Sequence, residues 1–126
     1  MFQGIDKVLI DVDDQERAKQ FWTVLMGCDV VQDTPYGDER WLEVRTPDGR
    51  GVLVLTPRQQ PPRESVPDRL PSSPIFFSCN DIERTYRDLT ERGVVFSQPP
   101  VHEQFGWWSM FDDTEGNRFA LTQRDD

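Results

Sequence analysis

Tryptophan side chains have the clearest chemical potential in this chain. The segment FGWWSMF contains Trp107 and Trp108, and Trp41 lies 67 residues before Trp108. Indole rings are flat apolar walls on which a planar or cationic ring can stack. These residues therefore point to noncovalent binding of a small organic ligand.

Charged side chains near these rings could orient such a ligand. Asp11 has two candidate roles, general base and cation anchor, because a carboxylate amid aromatic side chains can have a shifted pKa. Asp112 with Arg118, and Glu43 with Arg45, are candidate polar groups of a pocket. Pairs of this kind are more often salt bridges at a rim, which contribute little to stability.

The sulfur and imidazole side chains give no pattern typical of catalysis. Cys28 and Cys79 show no CxxC or Cys/His spacing, so we expect reduced structural thiols and no disulfide or nucleophile. His102, the only histidine, lies in the polar segment PPVHEQFG and is expected to be a solvated loop residue.

Composition narrows the possible partners. Fourteen basic and 23 acidic residues give a formal charge of -9 and a pI near 4.5, which disfavours nucleic acid and anionic membranes. The apolar stretches are far shorter than the ~20 residues that span a bilayer, and the first residues lack a signal pattern. We expect a single cytoplasmic domain, because 126 residues leave no room for two independent cores.

An internal repeat organises the chain. The segment VLIDVDDQERA at 8–18 aligns with IFFSCNDIERT at 75–85 at an offset of 67 residues. The turn TPDG that closes at Gly49 aligns with DTEG that closes at Gly116, again 67 residues apart. The repeat predicts two related modules of the same topology.

Each module is predicted to contain a strand, a helix and three further strands. Asp13 and Asn80, each three residues ahead of a glutamate, predict capping boxes, and Gly27 and Gly93 predict the helix ends. The predicted helix stripes comprise Ala18, Phe21, Trp22, Leu25 and Met26, then Ile82, Tyr86 and Leu89. The predicted strands cover 5–12, 29–33, 39–46 and 51–56, then 74–79, 94–98, 106–112 and 117–123.

The predicted fold class is α+β, with two tandem βαβββ modules that form a curved mixed sheet and a cup for a ligand. Module one covers 1–56, a proline-rich connector covers 57–73, and module two covers 74–126. A connector of this length also permits exchange of modules between subunits.

Hairpin geometry predicts the ligand-facing side chains, on the assumption of three-residue turns with a left-handed glycine. Thr46 then pairs with Arg50, and Asp113 with Asn117. The ligand-facing set comprises Lys7, Leu9, Asp11, Trp41, Glu43, Arg45, Leu53 and Leu55, then Pro74, Phe76, Ser78, Trp108, Met110, Asp112, Arg118, Ala120 and Thr122.

Trp107 and Phe111 alternate to the opposite side and are expected to pack against the helix. The candidate ligand-binding residues are therefore Trp41, Trp108, Asp11, Glu43, Phe76, Met110, Asp112 and Arg118.

The segments VDDQERAKQFWTVLMG, CNDIERTYRDLTERGV and FDDTEGNRFALTQ together resemble the vicinal oxygen chelate superfamily. This superfamily includes glyoxalase I, extradiol dioxygenases, fosfomycin-modifying enzymes and bleomycin resistance proteins. The resemblance covers nearly the whole chain and implies the βαβββ fold. It also implies a homodimer with two equivalent sites.

The resemblance further implies where a metal would bind, because metal-dependent relatives take one ligand from the opening and one from the closing strand of each half. The matching positions are Lys7, Leu53, Pro74 and Ala120. None has a side chain that coordinates a divalent cation at neutral pH. A shifted site that uses Glu43, Asp11 or His102 is the remaining route to a metal.

Two hypotheses follow. The first is a protein without metal or other cofactor that sequesters an aromatic or cationic compound such as an antibiotic, as the bleomycin resistance branch does. The alternative is a metal-dependent lyase, isomerase or extradiol-type dioxygenase, in which the ion polarises substrate oxygens. A metal-free enzyme with Asp11 as its base is a variant of this alternative.

Overall fold

The computed structural model describes residues 1–59 and 70–125. Strands and helices in these ranges confirm the βαβββ repeat. The elements of the first module are β1 (Val8–Val12), α1 (Gln15–Gln20), a π-helical segment (Phe21–Leu25), β2 (Asp29–Tyr36), β3 (Glu39–Arg45) and β4 (Val52–Pro57). Those of the second are β5 (Phe76–Ser78), α2 (Ile82–Arg92), β6 (Val95–Glu103), β7 (Gly106–Asp112) and β8 (Arg118–Gln123).

The chain divides into two compact units, Met1–Pro61 and Pro62–Asp126. The first unit contains a four-stranded sheet of order β1-β4-β3-β2, and the second contains one of order β5-β8-β7-β6. In each sheet the opening strand runs parallel to the closing strand, and the remaining pairs are antiparallel. Residues 60–69, the middle of the predicted connector, lie outside the described residues, so the connector and its role stay predictions.

Neither helix of the described part of the chain has the length and apolarity needed to cross a membrane.

Both helices begin one residue later than the sequence predicts. Asp14, not Asp13, caps α1 by accepting the backbone N–H of Arg17 at 3.0 Å. Asp81, not Asn80, caps α2 in the same way. The carboxylate of Asp13 instead pairs with Arg58, whose Nε lies 2.8 Å from Oδ1.

The first helix does not stay α-helical up to Gly27. It widens after Gln20, where the Met26 N–H donates to the Phe21 carbonyl at 3.1 Å, five residues back. Phe21 and Trp22 are 3% and 1% exposed, and their rings meet edge to face at 5.2 Å. The π-helical turn therefore carries both large rings of the predicted stripe into the core. Gly27 follows with φ 80°, as its predicted role requires.

The closing hairpin of the first module is one residue longer than predicted. The Thr46 N–H donates to the Gly51 carbonyl at 2.8 Å, so Thr46 pairs with Gly51 and not with Arg50. Gly51 donates to Thr46 Oγ1 at 3.0 Å, and a side chain at this glycine would meet that hydroxyl at 3.2 Å. The threonine side chain thus occupies the space next to Gly51 within the longer loop.

This extra residue reverses the predicted faces of β4. Leu53 pairs with Val8 and Val44, and Leu55 pairs with Ile10. The prediction that Leu53 and Leu55 face a ligand is therefore wrong, because a one-residue shift moves every side chain to the other face. Both leucines belong to the core, at 3% and 0% exposure.

The second hairpin has the predicted register. The Asp113 N–H donates to the Asn117 carbonyl at 3.0 Å, and Asp112 pairs with Arg118. The carboxylate of Asp113 accepts the backbone N–H groups of Glu115 and Asn117, which closes the turn. Burial raises the pKa of Asp113.

Aromatic side chains form the core of the second module. Phe77 lies 5.9 Å from Phe111 and 5.4 Å from Phe119 between ring centroids, and Phe96 lies 6.0 Å from Phe111. Tyr86 of α2 meets Phe96 edge to face at 4.9 Å, which joins the helix to the sheet. Each fully buried ring stabilises the fold by roughly 1.5–3 kcal/mol.

Charged side chains tie the exposed edge strand β2 to the rest of the first module. Asp33 of β2 accepts from Arg40 of β3 at 2.6 Å and from Lys19 of α1 at 3.0 Å, and Arg40 also reaches Glu16 at 3.1 Å. The hydrogen bonds from Arg40, which has the larger effect, and from Lys19 lower the pKa of Asp33 to about 2. Every residue of β2 is exposed, so this network is a main link between the strand and α1.

Replacing Asp33 by asparagine should reduce the free energy of unfolding by about 1 kcal/mol at pH 7, because the cations lose their carboxylate. The ionised carboxylate of Asp33 stabilises the fold fully only above 3.8, the pKa of the unfolded state. The loss should therefore shrink as the pH falls from 3.8 to about 2, where the native carboxylate is protonated as well. Urea denaturation at pH 7 and at pH 3 measures both effects. Asp38→Asn in the exposed turn between β2 and β3 is the matched control, and equal losses in both variants would contradict the prediction.

Candidate ligand-binding faces

Each sheet has one face covered by its helix and one that points away from it, here called the helix-distal face. In the first module Asp33 and Arg40 contact α1, so alternation along β3 places Trp41 and Glu43 on the helix-distal face. In the second module Phe96 contacts α2 and pairs with Phe111, which places Met110 on the helix-distal face.

Glu43 is the centre of the first helix-distal face. Its Oε2 accepts the indole N–H of Trp41 at 2.6 Å and the ammonium of Lys7 at 2.9 Å. The residue is 5% exposed, so the carboxylate lies in a site where an unpaired charge would be costly. These three residues, Lys7, Trp41 and Glu43, are here called the Glu43 cluster.

The Glu43 cluster holds its charges in place. The hydrogen bond from Trp41, and then that from Lys7, lower the pKa of Glu43, because both donors stabilise the carboxylate. The carboxylate in turn raises the pKa of Lys7. The indole N–H is therefore oriented by a charged acceptor, and the partly exposed ring of Trp41 lies 6.0 Å from that of Tyr36.

Asp11 lies further along β1 and outside the Glu43 cluster. Its Oδ1 accepts the hydroxyl of Thr56 at 3.4 Å, and its backbone carbonyl accepts from Arg58 at 3.5 Å. Leu9, between Lys7 and Asp11, is 61% exposed although its cross-strand partner Val54 is fully buried. The roles proposed for Asp11 from the sequence, base or cation anchor, stay predictions.

The second helix-distal face contains the other candidate residues. Trp108 is partly exposed and pairs with Thr122, and Phe76, which pairs with Ala120, is 63% exposed. Met110 lies on the predicted face but is 1% exposed, so it contributes almost no accessible surface to a ligand.

Asp112 and Arg118 form the predicted pair on this face. Arg118 Nε donates to Asp112 Oδ1 at 2.9 Å, and both side chains are about one-third exposed, at 29% and 32%. Arg118 is also held by its backbone, since its N–H donates to Ser72 Oγ at 2.8 Å. The guanidinium is thus anchored next to the carboxylate.

The two faces share one feature, an exposed apolar side chain on the opening strand of the sheet. Leu9 and Phe76 lie 67 residues apart, on equivalent opening strands, and are 61% and 63% exposed. Each pairs with a fully buried small apolar residue of the closing strand, Val54 or Ala120. The sequence predicts that Leu9 faces a ligand but does not single it out as a binding residue. Its exposure depends on its neighbours.

His102 is not the loop residue expected from the sequence. Strand β6 runs from Val95 to Glu103, beyond the predicted end at 98, and includes it. Its Nε2 lies 2.9 Å from both carboxylate oxygens of Asp125, and its ring lies 4.9 Å from that of Trp107. The side chain is half exposed and belongs to the face opposite Trp108.

The positions that would supply metal ligands do not fit a cation. Lys7 directs an ammonium to Glu43, and Pro74 and Ala120 have no donor atom. The register puts Val54, another aliphatic residue, on the helix-distal face in place of Leu53. Within 1–59 and 70–125, no three His, Cys, Asp or Glu side chains come together as a metal site.

Both cysteines are free thiols, Cys28 buried and Cys79 partly so. Burial raises the pKa of Cys28 to about 12, and burial also raises that of Cys79. A thiol with a raised pKa is a poor nucleophile at neutral pH.

Comparisons with known proteins identify the class of this fold. The family model of the Glyoxalase/Bleomycin resistance protein/Dioxygenase superfamily matches residues 4–121, and the chain belongs to that superfamily. The uncharacterized protein YetH of Bacillus subtilis (strain 168) is 36% identical over 124 residues, which is 98% of this chain and all of that protein.

Solved structures of related proteins have the same fold. TnmS3, an antibiotic binding protein from Streptomyces sp. CB03234, superposes with a TM-score of 0.80 at 29% identity and covers 99% of both chains. UcmS2 superposes with a TM-score of 0.79 at 31% identity over 97% of this chain and 98% of its own.

Replacing Glu43 by leucine removes the acceptor of Trp41 and the counter-ion of Lys7. We expect the free energy of unfolding to fall by about 1–3 kcal/mol at pH 7, because the indole N–H loses a charged acceptor. The loss should shrink as the pH falls below 4.5, because the carboxylate of the unfolded state then takes up a proton, and should vanish once the native carboxylate, with its lowered pKa, is protonated as well.

Urea denaturation checks this prediction, with Glu39→Leu at the exposed start of the same strand as the control. The control should change stability by no more than about 0.5 kcal/mol. Equal stability of Glu43→Leu and the native protein would show that the cluster contributes nothing to the fold.

Proposed function

We propose that this protein binds a small aromatic compound, such as an antibiotic, without a metal ion, and thereby sequesters it. The observation that carries the proposal is apolar exposure on the helix-distal faces. Leu9 and Phe76 are more than 60% exposed, each on a face that also contains a partly exposed tryptophan, Trp41 or Trp108.

The exposure of these side chains is energetically unfavourable in water. Several apolar and aromatic groups exposed on one face of a sheet are typical of a surface that binds a ligand or partner. A planar ligand that covers Phe76 and the ring of Trp108 removes apolar area from water at about 25 cal/mol per Å² and adds ring stacking. The neighbouring polar groups, Asp112 and Arg118, can orient it by hydrogen bonds.

The comparisons add support from an independent direction. TnmS3, which is described as an antibiotic binding protein, matches this chain over 99% of its length at 29% identity. Fold similarity alone does not transfer a ligand, since one fold hosts many functions. The exposed aromatic side chains of this chain are what make the same kind of function chemically reasonable.

Metal independence is the second part of the proposal. It is supported by the side chains at the four implied ligand positions, where an ammonium, a pyrrolidine and aliphatic groups cannot coordinate a divalent cation. The carboxylate nearest to the Lys7 ammonium is that of Glu43, at 2.9 Å. Because this carboxylate is paired with an ammonium, it is a poor ligand for a metal ion.

Stacking on Trp108 can be tested with acridone, an uncharged fluorescent compound of three fused rings. We expect Trp108→Ala to weaken acridone binding by about 10-fold or more, because the variant loses the aromatic wall. Trp107→Ala is the matched control, since it removes the neighbouring indole from the opposite face. Fluorescence titration measures both affinities.

Phe76→Ala should weaken acridone binding as well, and Trp41→Ala tests the face of the first module separately. Native affinity in all three variants, Trp41→Ala, Phe76→Ala and Trp108→Ala, would overturn the assignment of these faces. A loss in Trp107→Ala equal to that in Trp108→Ala would indicate a general effect on folding.

Native mass spectrometry of freshly purified protein tests metal content and subunit number together. We propose a homodimer, of twice 14.7 kDa, that retains no metal. Stoichiometric zinc, manganese, iron or nickel, or clear thermal stabilisation by one of them, would instead support the metal-dependent enzyme. A mass of one chain would contradict the dimer.

We also propose a cytoplasmic location, supported by the two free thiols.

A further inference from the structure

Two carboxylates of the helix-distal faces, Glu43 and Asp112, are each neutralised by a basic side chain. The sequence suggests three carboxylates near the aromatic side chains, Asp11, Glu43 and Asp112. In the structure the two that lie on the strands of the tryptophans are each paired with a basic side chain, at 2.9 Å in both modules.

In the first module the carboxylate of Glu43 accepts hydrogen bonds from two side chains. The ammonium of Lys7 and the indole N–H of Trp41 both donate to Oε2, and the residue is 5% exposed. The Lys7 side chain is 34% exposed, so of the two charges the positive one is more accessible from solvent. The ammonium also lies 3.7 Å from the carboxylate of Asp6, whose side chain is 88% exposed and solvated, so Glu43 is the carboxylate that Lys7 neutralises inside the face.

The pairing in the second module is held by the backbone. Asp112 and Arg118 are cross-strand partners, and Arg118 is fixed by its N–H bond to Ser72 Oγ at 2.8 Å. The guanidinium and the carboxylate are similarly exposed, at 29% and 32%. Their charges thus largely cancel for a ligand on this face.

The net charge of the whole chain does not override these local pairs. A formal charge of -9 favours cations in general, but exposed charges are screened beyond ~8–10 Å at physiological ionic strength. The charges on the same face as the exposed rings therefore matter more than the net charge for what stacks there.

We infer that Lys7 and Arg118 are specificity-determining residues, which neutralise Glu43 and Asp112 so that the faces bind uncharged planar aromatic compounds in preference to cationic ones. This inference rests on the proposed function and names the ligand class of the same faces. A neutral ring gains the stacking surface at little electrostatic cost, whereas a cation must leave water and finds Glu43 and Asp112 already paired with basic side chains.

Three ring systems of similar shape test the inference: acridone, which is neutral, 9-aminoacridine, which is cationic at neutral pH, and anthracene-9-carboxylate, which is anionic. We expect acridone to bind the native protein about 5-fold or more tightly than 9-aminoacridine, by fluorescence titration. Tighter binding of 9-aminoacridine would overturn the inference and leave the proposed function intact. Absence of binding by all three compounds would overturn the proposed function and the inference with it.

Variants then test the two basic residues. Lys7→Met and Arg118→Met each leave a carboxylate without its counter-ion, so each should improve the affinity for 9-aminoacridine relative to acridone by about 5-fold. The charge-preserving variants Lys7→Arg and Arg118→Lys should keep the native preference. Arg87→Met, on the exposed side of α2, makes the same change in net charge and should leave the ratio unchanged.

Two results would overturn the role of these residues. One is an unchanged affinity ratio in both methionine variants, each shown to be folded by its thermal transition. The other is an equal change in Arg87→Met, which would assign the effect to net charge. If one methionine variant does not fold, the other, in the other module, decides the question.

Discussion

The register of the closing hairpin in each module is the constraint on which the candidate site depends. Side chains alternate across a sheet, so a shift of one residue exchanges the two faces completely. Thr46 pairs with Gly51 in the first module, whereas Asp113 pairs with Asn117 in the second, where the loop is one residue shorter. For this reason Val54 and Ala120, and not Leu53 and Ala120, are the equivalent residues opposite Leu9 and Phe76.

Once the register is set, Glu43 determines the character of the first face. A buried carboxylate requires partners, and the two within reach are the indole N–H of Trp41 and the ammonium of Lys7. The same bonds orient the tryptophan and cancel the charge. Glu43, which the sequence suggests as a ligand anchor, therefore also holds the indole of Trp41 in place.

Superfamily membership leaves the function open, because the superfamily's name covers enzymes and binding proteins alike. The distinguishing information lies in the side chains of the helix-distal faces. They combine exposed apolar groups, Leu9 and Phe76, with tryptophans and paired charges. This combination is the basis of the proposal that a flat neutral molecule stacks on these faces.

The amino-acid sequence by itself determined the α+β class, the two βαβββ modules and most strands, because these follow from a repeat, glycine turns and local side-chain patterns. It also placed Trp108, Asp112 and Arg118 on one face, since the second turn has its standard length. Only the tertiary structure decided the longer Thr46–Gly51 loop, the exposure of Leu9 and Phe76, and the bonds of Glu43 to Lys7 and Trp41. The bond from Lys7 to Glu43 and the exposure of Leu9 and Phe76 depend on residues distant in the chain. The Thr46–Gly51 loop is local, but its length depends on hydrogen bonds that the turn residues alone do not reveal.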